Sequence, residues 1–267
     1  MQITVLASGS KANASVLHTP FGLVLIDAGL SSSQLEVRLK MAKIKPGDLR
    51  AIILTHDHAD HTQGLETFVR KYPTEVFTNA LTATALNLKG AAIPWRIFRT
   101  GQEFGLLGSL GVLPFPICHD AADPVGFKIT TPEGLRFGYV TDLGCVTPFV
   151  RVAVADCSAL FLEANYDEEL LAQDRRRPAM VRLRTSAGNG HLSNAQAAEL
   201  VRTTPALKRV ILGHLSAHNN RPGLAQNAVL EACVDDAAPM DPRDIEVAVA
   251  FTPESERLKP PTTYALA

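Results

Sequence analysis

A chain of 267 residues, 46% hydrophobic and 20% charged, holds enough apolar surface for a sizeable core, which excludes disorder over most of its length. Length alone does not demand two domains, so one large unit is expected over residues 1–251, with 252–267 as a loosely held tail carrying Pro260-Pro261. Lys and Arg total 26 against 27 Asp and Glu, a formal charge of -1; no global basic field speaks for nucleic acid or an anionic membrane, and any polyanion site must be local.

In chain order, β-rich runs come early: 3–7, 15–18, 23–27 and 51–55, each closed by Gly, Pro, Ser or Asp. Between them Ser31 can cap a helix on which Leu35, Leu39 and Ala42 share a face, before Pro46-Gly47 stops it. A second helix is expected where Leu65, Phe68, Val69 and Tyr72 fall on one side and Pro73 ends the pattern. Further strands are predicted at 76–78, 111–118, 126–130, 135–141 and 160–163, with Pro132-Glu133-Gly134 as a hairpin turn. Ser193 with Gln196 reads as a capping box opening a helix through Leu200 and Val201, which leads to a strand at 209–212. The spacing implies two sheets. No aliphatic run is long enough to span a bilayer, and the opening MQITVLASGS has no basic region ahead of an apolar stretch, so a cytoplasmic protein without membrane contact is expected. Cys118, Cys145, Cys157 and Cys233 form no CxxC pair and are expected as reduced thiols.

The densest chemical signal is Thr-His-Asp-His-Ala-Asp-His at 55–61, directly after the apolar run 51–54. Three of the eight histidines fall within six residues. Imidazole and carboxylate suit zinc or manganese, and a tight turn after a strand can aim His56 and His58 at one ion and Asp60 and His61 at a second. A metal pair needs more ligands, and His119, Asp142 and His214 each sit just past an apolar run, as they would on one rim of a β-sandwich.

The order HxHxDH, His, Asp, His resembles the metallo-β-lactamase superfamily. That resemblance implies a four-layer αββα sandwich, an α/β fold of two mixed sheets flanked by helices, holding two divalent ions. By the same likeness His56, His58 and His119 would bind the first metal and Asp60, His61 and His214 the second, with Asp142 bridging. His58 stands where the flavo-diiron branch carries Glu, which favours a hydrolytic zinc or manganese site. The stretches LASGSKANAS from Leu6, DAGLS from Asp27, CHDAADPVGF from Cys118, YVTDLG from Tyr139, LEANYD from Leu162 and GHLSN from Gly190 resemble the YycJ/VicX (WalJ) branch of bacterial nuclease-like proteins. Tyr166 departs from that branch, which more often has His there. Glu163-Ala164-Asn165 and Gly190-His191-Leu192-Ser193 are also similar to segments of ribonuclease Z, and imply that Glu163 and His191 form an acid–base pair near the scissile phosphate.

Two divalent ions suit in-line attack on a phosphodiester, and Asp60 is a further catalytic candidate, able to hydrogen-bond the nucleophile. Arg175, Arg176, Arg177, Arg182 and Arg184 precede His191 and are candidates for gripping phosphate. Ser8, Ser10 and Asn13 are expected to shape a loop beneath the metals around Gly9, and Asp27 to orient a ligand histidine. The leading expectation is a DNA exonuclease, acting 5′-to-3′ by resemblance. A small-molecule thioester, lactone or cyclic phosphodiester hydrolase is a second reading, and a non-enzymatic metal-containing regulatory protein a third. The stretch between Asp142 and His214 has no room for the large insert of the β-CASP nucleases, which weakens any case for long RNA. Oligomeric state stays open.

Overall fold

The computed structural model describes residues 1–86, 93–233, 241, 244–248 and 260–267. Strands β1 (Gln2–Ala7), β2 (Ala14–Thr19) and β3 (Gly22–Ile26) run as an antiparallel meander. From β3 the pairing turns parallel, to β4 (Leu49–Ile53), β5 (Glu75–Asn79) and β6 (Trp95–Phe98). Parallel neighbours need crossovers, here made by α1 (Ser32–Met41), the single turn α2 (Ala59–Thr62), α3 (Leu65–Lys71) and α4 (Ala80–Leu86). The Ser31 hydroxyl caps α1 by accepting from the Gln34 amide, as the sequence predicts.

The second sheet begins antiparallel, with β7 (Phe104–Leu106), β8 (Leu110–Pro116), β9 (Val125–Thr130) and β10 (Arg136–Val140). It continues parallel through β11 (Ala159–Glu163), β12 (Arg209–Gly213) and β13 (Ile245–Val247). Its connections carry α5 (Pro148–Val154), α6 (Glu168–Gln173), α7 (Ala179–Ser186), α8 (Asn194–Arg202) and α9 (Pro222–Ala232). The capping box at Ser193 and Gln196 is present with both of its hydrogen bonds.

Alternation along the strands sorts the side chains into three apolar layers. Val24 and Ile26 face inward and meet Phe127, Phe137, Tyr139 and Phe161 of the other sheet. Leu25, Ile52 and Leu54 face outward and pack with Leu35, Leu39 and Phe68 of the helices. On the far side Val140, Leu160, Leu162, Val210 and Leu212 meet Leu200, Val201 and Val229. The result is a helix–sheet–sheet–helix sandwich with, among the described residues, seven strands in each sheet. No helix among the described residues is long and apolar enough to cross a membrane. No disulfide joins the four cysteines, and burial pushes the Cys157 thiol up to about 12.

The C-terminal tail expectation is corrected where it can be compared. Residues 252–259 lie outside the described residues, but β14 (Thr262–Ala265) pairs antiparallel with β1, Ile3 opposite Tyr264. Two apolar anchors at alternate positions, Tyr264 at 6% and Leu266 at 1% exposure, are enough to seat a strand on an otherwise open sheet edge. Tyr264→Ala is expected to cost about 3 kcal/mol, read as a lower urea midpoint; an unchanged midpoint would return these residues to a loose tail.

Candidate metal centre

Parallel pairing brings the C-terminal ends of β3, β4, β10, β11 and β12 to one rim, and the polar residues just beyond them converge there. Asp27 and His214 follow their strands directly and Asp142 one residue later, with left-handed φ values of 60, 54 and 58°. Non-glycine residues pay for that conformation. It turns the chain sharply at the strand end, so the side chain that follows meets the cluster instead of continuing the pleat.

Four donor groups assemble, each with its ligand atoms within 4.8 Å of one another: His56, His58 and His119; Asp60, His61 and His214; His56, His61 and Asp142; and Asp142, Glu163, His191 and His214. Asp142 is the hub. One of its oxygens stands 3.1 Å from His61 Nε2, and the other 3.4 Å from His214 Nε2 and 3.8 Å from His119 Nε2.

The far side of each ring is occupied, which settles which nitrogen faces the cluster. His61 Nδ1 is 2.8 Å from Asp27, whose other oxygen accepts the Thr55 amide. His56 Nδ1 meets the Thr55 hydroxyl at 3.0 Å, His119 Nδ1 the Gly190 carbonyl at 3.1 Å, and His214 Nδ1 the Glu163 carboxylate at 2.9 Å. His58 is turned the other way, with Nε2 on the Asp120 carbonyl at 3.2 Å. Four rings therefore present Nε2 inward and His58 presents Nδ1. Such outer partners fix the tautomer and orientation of a metal-binding imidazole.

A cation fits this donor set. His56 Nε2, His214 Nε2 and one Asp142 oxygen are fully buried and have no hydrogen-bond partner, a costly state that a metal ion would relieve. The electrostatics agree. Burial, with His61 nearby, holds His56 well below the usual histidine range. Burial works against the charged forms of His61, His214 and Asp142 as well, but mutual attraction outweighs it, raising both histidines and lowering the aspartate. A cation would take over the role of those protons. Removing bound metal by chelation is expected to lower the melting temperature by about 5 °C or more, since an ion at a hundred times its Kd contributes about 2.7 kcal/mol; calorimetry with and without chelator checks this.

Glu163, fully buried, is shared. Oε1 lies 2.7 Å from His191 Nδ1 and 2.9 Å from His214 Nδ1, while Oε2 accepts the Leu143 amide at 2.7 Å. Burial opposes charge on His191, yet the Glu163 carboxylate prevails and lifts it to about 9. The pairing of Glu163 with His191 is as expected from sequence; the simultaneous hold on His214 is not.

The loop residues take separate places. The Ser8 hydroxyl accepts the His214 amide at 2.7 Å, Asn13 spans Gly9 and His61, and Ser10 lines the cleft above the donors. That cleft, about 360 Å³, is also walled by Asp60, His191, Val181, Arg184 and Thr185. The arginine stretch does not act as one patch. Arg176 and Arg177 pair with Asp174, Arg182 donates to the Asp174 and Arg177 carbonyls, and Arg184 reaches the cleft. Arg175 does not line the cleft. Thr55, Asp120 and Asn165, which donates to the His214 carbonyl at 2.8 Å, were not foreseen, although the first two adjoin His56 and His119 in sequence.

A family model described as a beta-lactamase superfamily domain matches residues 23–215. Over 234 residues the chain is 32% identical to the exodeoxyribonuclease YycJ of Bacillus anthracis, covering 86% of this chain and 88% of that one. The chain belongs to the metallo-β-lactamase superfamily, in its YycJ/WalJ branch. Solved structures carry the same metallo-β-lactamase fold: YhfI from Bacillus subtilis, at TM-score 0.73 and 14% identity over 99% of both chains, and the short form of human tRNase Z, at 0.69 and 16% over 100% of both. The superfamily fold implies divalent metal ions, and the rim described above supplies histidine and aspartate donors for them.

Proposed function

We propose that this protein is a dinuclear metal-dependent exonuclease acting on DNA, from the 5′ end. The observation that carries the reading is the orphaned inward face of the cluster, where buried His56 Nε2, His214 Nε2 and an Asp142 oxygen lack partners beside a Glu163–His191 pair. The name of the Bacillus anthracis relative supports DNA and exonucleolytic action.

In this reading His56, His58 and His119 would hold one ion and Asp60, His61 and His214 the other, with Asp142 shared between the two sets and zinc or manganese as the metal. The ions would activate water near neutral pH and offset charge developing on the phosphodiester oxygens. Asp60, at the cleft and 3.6 Å from His61 Nε2, accepts a hydrogen bond from the attacking water and aims it. His191, protonated through Glu163, donates from Nε2 to the oxygen that gains charge or leaves. Asp27, Ser8 and Asn13 keep the donor rings and the loop beneath them in place.

Digestion of 5′- and 3′-labelled single- and double-stranded DNA by metal-loaded protein is the test. Metal-dependent trimming from the 5′ end is the expected result. Turnover of a thioester or cyclic phosphodiester with no trimming of DNA would transfer the same centre to small molecules.

A further inference from the structure

Asp120 and Arg184 form an ion pair at the mouth of the metal cleft. Arg184 Nε is 2.8 Å and Nη2 2.5 Å from the same Asp120 oxygen. The second Asp120 oxygen stands 3.6 Å from His119 Nε2 and 4.0 Å from His58 Nε2. A single carboxylate thus lies between the guanidinium and the rings of His119 and His58. Three neighbouring arginines are committed elsewhere: Arg176 and Arg177 to Asp174, and Arg182 to backbone carbonyls of the turn ahead of α7.

The pair contributes little to holding the fold. Arg184 is 71% and Asp120 28% exposed at the side chain, and ion pairs open to water stabilise weakly. Helix α7, which carries Arg184, buries none of its own residues. What the pair does is neutralise two charges at the entrance of a site that receives a polyanion: a bare Asp120 would repel phosphate there. A carboxylate and a phosphate offer a guanidinium the same fork of oxygens, so the two can exchange with little change in geometry.

We propose that Arg184 is the grip for the substrate phosphate next to the scissile one, and that Asp120 holds its place until nucleic acid arrives. This rests on the nucleic-acid reading above and adds a specific residue and a specific phosphate to it. Arg184 then acts on binding and register, with the chemistry left to the metals, Glu163 and His191.

The test combines substrate and protein changes. Fluorescent single-stranded oligodeoxynucleotides, each with one phosphate made neutral as a methylphosphonate at successive linkages from the labelled end, are titrated with metal-loaded protein. Anisotropy reads binding and a gel of the same samples reads cleavage. One linkage should weaken wild-type binding about tenfold to a hundredfold, as for a charge-assisted contact. Arg184→Gln should show that loss with the all-phosphate strand and no further loss when that linkage is neutral. Asp120→Asn should bind several-fold more tightly, because the competitor is gone, with Arg184→Gln melting as wild type does.

Equal sensitivity of wild type and Arg184→Gln to every linkage overturns the proposal, as does weaker binding by Asp120→Asn; cleavage persisting in those samples leaves the nuclease reading standing. The coupled binding pattern without any cleavage supports the proposal and removes the nuclease. No binding at all removes both.

Discussion

Asp142→Ala is expected to reduce cleavage about a thousandfold or more, equivalent to about 4 kcal/mol of transition-state stabilisation. Bound metal should fall from about two ions per chain to fewer than one, as expected if a dinuclear centre loses its bridging ligand. The reason is position. Asp142 lies within 3.8 Å of donor nitrogens from both halves of the cluster, on His61, His119 and His214, so in the proposed dinuclear centre its loss would remove a ligand from each ion at once. It would also remove a buried negative charge set among five imidazoles. Elemental analysis beside the digestion assay decides the matter. A variant that keeps both ions and loses activity would make Asp142 a catalytic group only, and one that keeps both ions and full activity would sink the bridging assignment.

Glu163→Gln has the second largest expected effect, and its separation from His191→Asn is the informative part. The wild-type carboxylate holds His214 with Nε2 facing inward and keeps a proton on His191. A neutral amide of the same shape weakens both. Metal affinity should fall about tenfold to a hundredfold, as for other groups that orient a ligand histidine, and kcat at saturating metal by about a hundredfold or more. His191→Asn should lower kcat to a similar extent and leave metal content unchanged, because His191 belongs to the proton-donating side of the shared carboxylate. Were both variants to lose metal equally, His191 would be acting as a ligand and the division of labour drawn here would be wrong.

Much of this was written locally in the chain. The ligand run at 55–61 follows an apolar strand, and His119, Asp142 and His214 each follow another, so strand-end chemistry could be read without coordinates. The α1 cap, the Ser193 capping box and the hairpin at Pro132-Glu133-Gly134 were legible for the same reason: each is fixed by contacts within a few residues. The short strands β6, β7, β13 and β14 were not, because three to four residues carry too little periodicity to stand out, and their pairing energy comes from neighbours distant in sequence. Residues 260–267 looked like a tail because Tyr264 and Leu266 mean little until the edge of β1 stands beside them.

The site divides along the same line. Residue types at the ends of apolar runs pointed to a metal-binding rim, and the family resemblance named the candidate side chains. Which nitrogen each ring presents was decided only by the tertiary structure, through Asp27 for His61, the Gly190 carbonyl for His119 and Glu163 for His214, partners 34, 71 and 51 positions away. So was the fate of the arginines: five similar charges in one stretch are equivalent as sequence, but Arg176 and Arg177 pair with Asp174, Arg182 donates to two backbone carbonyls and Arg184 pairs with Asp120. A side chain's chemistry is covalent and travels with the sequence, whereas its orientation and free charge are set by whatever the fold packs against it.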